Sequence, residues 1–234
     1  MPNDTQQGHV VVTGSSGGIG RAVCEALLNS GWRVSGVDFA PPTLAHSAFT
    51  HYPLDLTNSE QINALAVELA SVDALVHAAG VLRVAPLGKL DASAADLMWK
   101  IHVSAATQLA DLLVPAMAER GFGRVVFIGS RVAQGLPGRG QYAATKAAVI
   151  AMARSWAVEV ASHGVTVNVV SPGATATPML KDPARAGSAP RMPPIGRLVE
   201  PQEIASMVTY LLSPAAAAIT GQNLNICGGS SLSQ

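Results

Sequence analysis

Short apolar runs alternate along this chain with longer stretches rich in alanine and leucine, and this alternation restricts its fold more than any other feature. The runs are rich in β-branched residues and nearly continuous in apolar character, which is typical of parallel strands buried on both faces. The stretches between them have helical spacing. The predicted strands cover 9–13, 33–38, 73–77, 124–129, 165–170 and 223–227, and the predicted helices cover 19–29, 59–70, 92–119, 142–162 and 201–212.

This order of elements predicts an α/β fold: a doubly wound, Rossmann-type parallel sheet with helices on both faces, connected by right-handed crossovers. The alternation continues from end to end, so we expect residues 1–234 to form a single domain. Only the segment 177–201 breaks it, with six prolines and two glycines. Because ligands collect beside the carboxyl ends of parallel strands, we expect this segment to be a lid-like loop over a binding site.

Composition excludes several classes of partner. Fifteen basic and fifteen acidic residues cancel, which predicts no nucleic-acid partner and no attraction to an anionic membrane. Cys24 and Cys227 belong to no C-x-x-C pair, so we expect reduced thiols and no metal. The polar start of the chain does not resemble a signal peptide, and no uninterrupted apolar stretch of about 18 residues occurs, so we expect a cytoplasmic protein without a membrane span.

A glycine-rich turn follows the first predicted strand and opens the first predicted helix, with the sequence Thr13-Gly14-Ser15-Ser16-Gly17-Gly18-Ile19-Gly20. Glycines let the backbone turn tightly and approach a pyrophosphate, whose charge then lies at a helix N-terminus. The spacing differs from the commoner G-x-G-x-x-G, but its position between strand and helix indicates dinucleotide binding. The residues expected to contact the cofactor here are Gly14, Ser16, Gly18, Ile19 and Gly20.

Asp38 ends the second predicted strand, eighteen residues after Gly20. A carboxylate there can accept hydrogen bonds from the adenosine ribose hydroxyls and repel a 2′-phosphate. No lysine or arginine precedes Gly18 or directly follows Asp38. We therefore predict NAD rather than NADP as the cofactor, with a solvated strand-end aspartate as the alternative interpretation.

Tyr142 and Lys146 lie four residues apart on a predicted helix, so their side chains share one face. A phenol with an ordinary pKa of about 10 is a poor base at neutral pH, but an adjacent ammonium and a positive nicotinamide both lower that pKa. Ser130, at the end of a predicted strand, adds a hydroxyl able to hold a substrate oxygen. The three side chains predict proton transfer coupled to hydride transfer between an alcohol and NAD.

With these motifs the chain resembles the short-chain dehydrogenases/reductases that have an extended glycine motif, from about residue 9 to residue 232. The resemblance implies that Ser130 orients the substrate and that Tyr142 is the acid or base. It implies that Lys146 binds the nicotinamide ribose and lowers the pKa of Tyr142. Further cofactor contacts implied by matching family motifs are Asp55, Leu56, Ala79, Gly80, Pro172, Gly173 and Thr177.

Two positions depart from the family pattern. His102 stands where the family has an asparagine that bends its helix and leaves a backbone carbonyl free for a relay water. The histidine could preserve that role, relay protons itself, or be a core histidine bonded to the backbone. Cys227 stands where an aspartate is usual, and we expect that change to affect packing. Family members commonly pair helices across a two-fold axis, which implies a homodimer or homotetramer.

Some stretches resemble one subgroup, the 2,3-dihydro-2,3-dihydroxybenzoate dehydrogenases of siderophore biosynthesis; these are 72–83, 169–177, 200–205 and 228–232. That resemblance implies oxidation of a cyclic diol carboxylate with NAD as acceptor. Arginines Arg83, Arg131 and Arg139 in loops near the predicted site suit a carboxylate, as do the basic residues of the lid, Lys181, Arg185, Arg191 and Arg197. Solvated loop arginines are the alternative.

Other functions fit the same residues. Reductases of 3-oxoacyl thioesters and dehydrogenases of other cyclic alcohols share the same catalytic residues. A catalytically silent NAD-binding regulator is a further alternative, although Ser130, Tyr142 and Lys146 are all present.

Overall fold

The computed structural model describes residues 8–69, 71–182 and 191–232. Seven parallel strands form one sheet in the order β3-β2-β1-β4-β5-β6-β7. The strands are β1 (Gly8–Thr13), β2 (Trp32–Asp38), β3 (Phe49–Pro53), β4 (Ala74–His77), β5 (Gly123–Ile128), β6 (Val165–Pro172) and β7 (Asn223–Ile226). The helices between them are α1 (Gly18–Asn29), α2 (Ser59–Glu68), α3 (Ala92–Trp99), α4 (Ala105–Glu119), α5 (Gly140–Val160) and α6 (Pro201–Leu212).

The core is divided by the sheet into two apolar layers. Alternate strand residues enter opposite layers, so that Val10 and Val12 pack with α1 and α6, while Val11 packs with α2, α4 and α5. This follows from the two-residue period of side chains along a strand. The predicted doubly wound sheet with helices on both faces is confirmed.

One strand was missed by the sequence analysis. β3 pairs with β2 at the edge of the sheet, with Val34 opposite Phe49. Its five residues are only half-buried or exposed, and it ends in Pro53. An edge strand needs no continuous apolar run, so the pattern that identified the other six strands is absent.

The predicted helix 92–119 is interrupted. A π turn, Lys100–Ser104, separates α3 from α4 and has His102 at its centre. By length and composition the stretch Ala92–Glu119 could span a membrane, and half of its most apolar window is buried in the protein. Leu109 and Leu113 are fully buried in the core that faces α5, as in the core helix of a globular domain.

Strand order reverses between β1 and β4, where Thr13 pairs with His77. In open parallel sheets this reversal opens a crevice at the carboxyl ends of the strands, where ligands bind. The predicted lid begins and ends beside the same edge, because a parallel bridge joins Thr175 to Val199. Its central part, with Arg185, lies outside the described residues.

Candidate active site

A cleft of about 650 Å³ runs along the carboxyl edge of the sheet. It brings the glycine-rich turn and the Tyr142–Lys146 pair into one cavity, although they are far apart in the sequence. The predicted residues that line it are Gly14, Gly18, Ile19, Asp38, Asp55, Leu56, Ala79, Gly80, Ser130, Arg131, Arg139, Tyr142, Lys146, Pro172, Gly173 and Thr177.

The glycine-rich turn is packed too closely for larger residues. Gly14 has a φ of +70°, and a Cβ there would lie 2.8 Å from the backbone nitrogen of Ala79. A Cβ on Gly20 would overlap the carbonyl oxygen of Gly14. Gly20 therefore shapes the turn from behind and does not line the cleft. The N-cap of α1, Gly17, offers no side-chain hydrogen bond, so the first backbone N–H groups of α1 can bind an anion.

Asp38 joins the end of β2 to this turn. Its carboxylate accepts hydrogen bonds from the backbone N–H groups of Ser16 and Ala40, both at 3.0 Å. The Ser16 hydroxyl donates to the Ala40 carbonyl at 3.1 Å, so Ser16 positions the turn from outside the cleft wall. Each carboxylate oxygen has two lone pairs. Asp38 can therefore still accept hydrogen bonds from the hydroxyl groups of a ribose.

The two ends of the cleft differ in charge. Near the glycine-rich turn the charged lining residues are Asp38 and Asp55. The basic lining residues lie at the other end and are Arg131, Arg139, Lys146 and Arg191. Within the described part of the chain, no lysine or arginine lines the end that contains the glycine-rich turn.

Lys146 is buried in the wall of the cleft, one helical turn beyond Tyr142. Its ammonium donates a hydrogen bond to the Ile128 carbonyl at 2.8 Å and lies 5.8 Å from the centre of the Tyr142 ring. Burial lowers the pKa of Lys146 to about 8. At neutral pH this group is therefore still mainly protonated and places a positive charge beside the phenol.

Ser130 lies directly after β5 and begins the 3₁₀ turn Arg131–Gln134. Its hydroxyl oxygen accepts the backbone N–H of Val132 at 3.1 Å. No other hydrogen bond of this hydroxyl occurs among residues 8–69, 71–182 and 191–232, so its proton can be donated to an oxygen in the cleft.

His102 lies behind the cleft wall, with no exposed surface. Its Nε2 accepts the backbone N–H of Val81 at 3.0 Å, so its Nδ1 carries the proton. That Nδ1–H donates to the Thr145 hydroxyl at 2.8 Å, which itself donates to the Tyr142 carbonyl at 2.8 Å. Burial, followed by the charge of Lys146, holds the pKa of His102 well below its usual value.

His77 has the opposite tautomer. Its Nε2–H donates to the Ile101 carbonyl in the π turn at 3.0 Å, and its Nδ1 accepts the Thr13 hydroxyl at 3.0 Å. Burial and the charge of Lys146 lower its pKa to about 3. The sequence analysis did not single out His77 and missed this bridge. The available signal was that a polar residue, His77, ends the apolar run 73–77 shortly before Ala79 and Gly80.

The predicted substrate arginines separate into different environments. Arg131 and Arg139 line the cleft near Ser130 and Tyr142. Arg83 does not line the cleft. Its Nη1 lies 3.5 Å from Oδ2 of Asp182 and donates a hydrogen bond to the Leu82 carbonyl. Arg83 is therefore not brought together with the other two.

Comparison with known proteins places this architecture in a family. A family model described as enoyl-(acyl carrier protein) reductase matches residues 14–231. The 3-oxoacyl-[acyl-carrier-protein] reductase FabG of Vibrio cholerae is 37% identical over 234 residues, covering 94% of this chain and 95% of that relative.

Solved structures show the same fold. ElxO with NADP bound has a TM-score of 0.88 at 26% identity, covering 97% of this chain and 99% of ElxO. The aldohexose dehydrogenase AldT of Thermoplasma acidophilum, in ligand-free form, has a TM-score of 0.90 at 27% identity, covering 99% of this chain and 96% of AldT.

These relatives do not confirm the subgroup resemblance. FabG at 37% identity is a 3-oxoacyl reductase, one of the alternative activities, and AldT is an aldohexose dehydrogenase. ElxO binds NADP, so the comparison supports a nicotinamide dinucleotide without selecting NAD. The match over residues 14–231 and the 37% identity show that this chain is an oxidoreductase and belongs to the short-chain dehydrogenase/reductase family.

Proposed function

We propose that this protein transfers hydride between NAD(H) and a secondary alcohol or ketone, and that its substrate is a 3-oxoacyl thioester. The observation that carries the reaction is the presence of Ser130, Tyr142 and Lys146 in the same cleft as the glycine-rich turn. The thioester is supported by the name of the relative that is 37% identical over 94% of this chain.

The proposed mechanism assigns one role to each side chain. When bound, the nicotinamide supplies a hydride to the carbonyl carbon. Ser130 donates a hydrogen bond to the carbonyl oxygen as negative charge develops there. Tyr142 gives that oxygen its hydroxyl proton, and the buried ammonium of Lys146 stabilises the phenolate that remains. Oxidation of the alcohol reverses these transfers.

NAD is the proposed cofactor because of the charges at the adenosine end. Asp38 lines the cleft there together with Asp55. A 2′-phosphate at this end would meet carboxylate charge, whereas ribose hydroxyls can donate to Asp38. The residues expected to hold the rest of the cofactor are the lining residues of the glycine-rich turn, with Ala79, Gly80, Pro172, Gly173 and Thr177.

A second candidate is oxidation of 2,3-dihydro-2,3-dihydroxybenzoate. It is favoured by Arg131 and Arg139, which line the cleft beside Ser130 and Tyr142. Guanidinium groups bind carboxylates through paired hydrogen bonds. The two substrates are distinguished by assaying NADH formation with the diol and NADH consumption with a 3-oxoacyl thioester.

The test of the reaction compares wild-type protein with Tyr142→Phe. The variant keeps the ring and loses the proton carrier, so turnover should fall by about 10²–10⁴-fold while NADH binding, measured by fluorescence, is retained. Tyr210→Phe on α6 is the matched control and should leave the rate unchanged, since Tyr210 is 44% exposed and does not line the cleft. If wild-type protein binds NADH but converts no member of an alcohol and ketone panel, the silent regulator is the better interpretation.

We also propose a homo-oligomer in which the outer face of α5 packs against a second subunit. Ala144, Ala147 and Ala151 form an exposed strip of small residues on α5, and Val158 on the same helix is 82% exposed. Small side chains permit close helix approach, and an exposed apolar residue favours burial. Light scattering at the mass of a monomer would contradict this assembly.

A further inference from the structure

Four of the arginines around the substrate end of the cleft fall into two groups. In the first group, acidic partners neutralise the guanidinium. Arg197 forms a bidentate pair with Glu203 at 2.7 and 2.9 Å, and Arg83 lies 3.5 Å from Asp182. These arginines have their charge satisfied within the chain and are poor candidates for ligand binding.

The second group consists of Arg131 and Arg191. Both line the main cleft, and both also line a smaller cavity of about 190 Å³ at its edge, shared with Met192, Pro194 and Ser230. Arg131 is oriented by a hydrogen bond from its Nη1 to the Ser230 carbonyl at 3.1 Å. Within the described part of the chain, neither arginine forms an ion pair, and no acidic side chain lines the smaller cavity.

Two guanidinium groups that face one cavity repel each other, and arginine cannot relieve the repulsion by losing its proton. An oxyanion between them removes the repulsion and can accept several of their N–H groups at once. Because Arg131 directly follows Ser130, an anion held here would belong to the same molecule whose carbonyl or hydroxyl oxygen lies at Ser130.

We propose that Arg131 and Arg191 form an oxyanion-binding subsite at the edge of the cleft, so that the substrate of this oxidoreductase carries a carboxylate or a phosphate. This proposal rests on the proposed hydride transfer and narrows its substrate class. The oxyanion is the phosphate of a phosphopantetheine thioester or the carboxylate of a small cyclic substrate, and the test separates these two sources.

The phosphate is tested with two ketones that differ only at that group: acetoacetyl phosphopantetheine and acetoacetyl pantetheine. The readout is the kcat/KM value for acetoacetyl phosphopantetheine divided by the kcat/KM value for acetoacetyl pantetheine. Arg131→Gln and Arg191→Gln remove a charge, and the glutamine at 131 keeps an N–H donor for the Ser230 carbonyl. Each variant should lower the ratio about tenfold or more. Arg197→Gln, at a charge already paired with Glu203, is the matched control and should keep the wild-type ratio.

The carboxylate is tested by titrating the complex with NAD, since binding does not require turnover. Wild-type protein should bind 2,3-dihydroxybenzoate more tightly than catechol, and Arg131→Gln and Arg191→Gln should remove the difference. If the variants no longer distinguish the two ketones, the subsite binds a phosphate. If they no longer distinguish 2,3-dihydroxybenzoate from catechol, it binds a carboxylate. If Arg131→Gln and Arg191→Gln each give the wild-type kcat/KM ratio for the two ketones and the wild-type difference in affinity between 2,3-dihydroxybenzoate and catechol, the subsite is refuted. If no ketone or alcohol is converted, the proposed reaction fails, while pantetheine 4′-phosphate and 2,3-dihydroxybenzoate binding still decides the subsite.

Discussion

The imidazole of His102 lies edge-on to the phenol ring of Tyr142, with ring centroids 5.5 Å apart and ring planes at 89°. The same imidazole joins the two walls of the cleft, because it is bonded to Val81 after β4 and to Thr145 on α5. Both ring nitrogens are therefore occupied, and the pKa of His102 lies well below its usual value. This geometry supports a positioning role for His102 rather than proton relay.

The first prediction concerns replacement of His102. His102→Asn should retain most of the activity, because an amide can donate to Thr145 in place of Nδ1–H. His102→Leu should lower kcat and destabilise the fold by about 1–3 kcal/mol, since the buried Val81 N–H and Thr145 lose their partner. Steady-state kinetics and thermal unfolding measure both effects. A shift in the pH dependence of kcat in His102→Asn would mean that the histidine carries protons.

The second prediction concerns pH and rate. In the reduction direction, kcat/KM should fall as pH rises above about 8, because Lys146 then loses the proton that gives it its charge. Between pH 8 and about 6.5, the ordinary pKa of histidine, the profile should be flat, since burial lowers the pKa of His77 to about 3 and holds the pKa of His102 well below its usual value. An inflection at about 6.5, the ordinary pKa of histidine, would contradict the neutral tautomers described above.

The third prediction concerns cofactor selection. Asp38→Ala removes the carboxylate that would repel a 2′-phosphate, so the preference for NAD over NADP should shrink by about tenfold or more. It also removes the acceptor for the Ser16 and Ala40 N–H groups. Asp38→Asn keeps an acceptor and loses only the charge, and it separates the two effects. The measurement is the ratio of kcat/KM values for the two cofactors. An unchanged ratio in both variants would show that Asp38 does not select NAD.

The fourth prediction concerns acid stability. The pKa of His9 is lowered to about 4, mainly by burial, and that of His77 to about 3. Between pH 6.5 and these values the unfolded chain binds protons that the folded chain does not, so stability should fall as pH decreases. Each histidine contributes up to about 1.4 kcal/mol per pH unit.

Denaturant unfolding between pH 7.5 and 5 measures this loss. His9→Gln should reduce its slope, because glutamine does not titrate and can still donate to Ser35, as Nε2 of His9 does at 2.8 Å. His163→Gln, at an exposed position after α5, is the matched control and should keep the wild-type slope. Stability that is independent of pH over this range would show that His9 and His77 are protonated in the folded protein.

The sequence alone determined those features that depend on residues close to one another in the chain. Apolar periodicity identified six strands, and the glycine-rich turn and the Tyr142–Lys146 spacing located the two ends of the cleft. The edge strand β3 was missed because half-buried residues carry no such periodicity. A strand or a helix is specified by its own residues, and this made the doubly wound sheet predictable.

Only the tertiary structure decided which polar side chains act together. His102 is bonded to Val81 and Thr145, which are 21 and 43 positions away in the chain. Arg83 lies beside Asp182, while Arg131 lies in a cavity with Arg191. The charge and hydrogen bonding of each group depend on neighbours that chain folding brings close, and neither composition nor spacing specifies those neighbours.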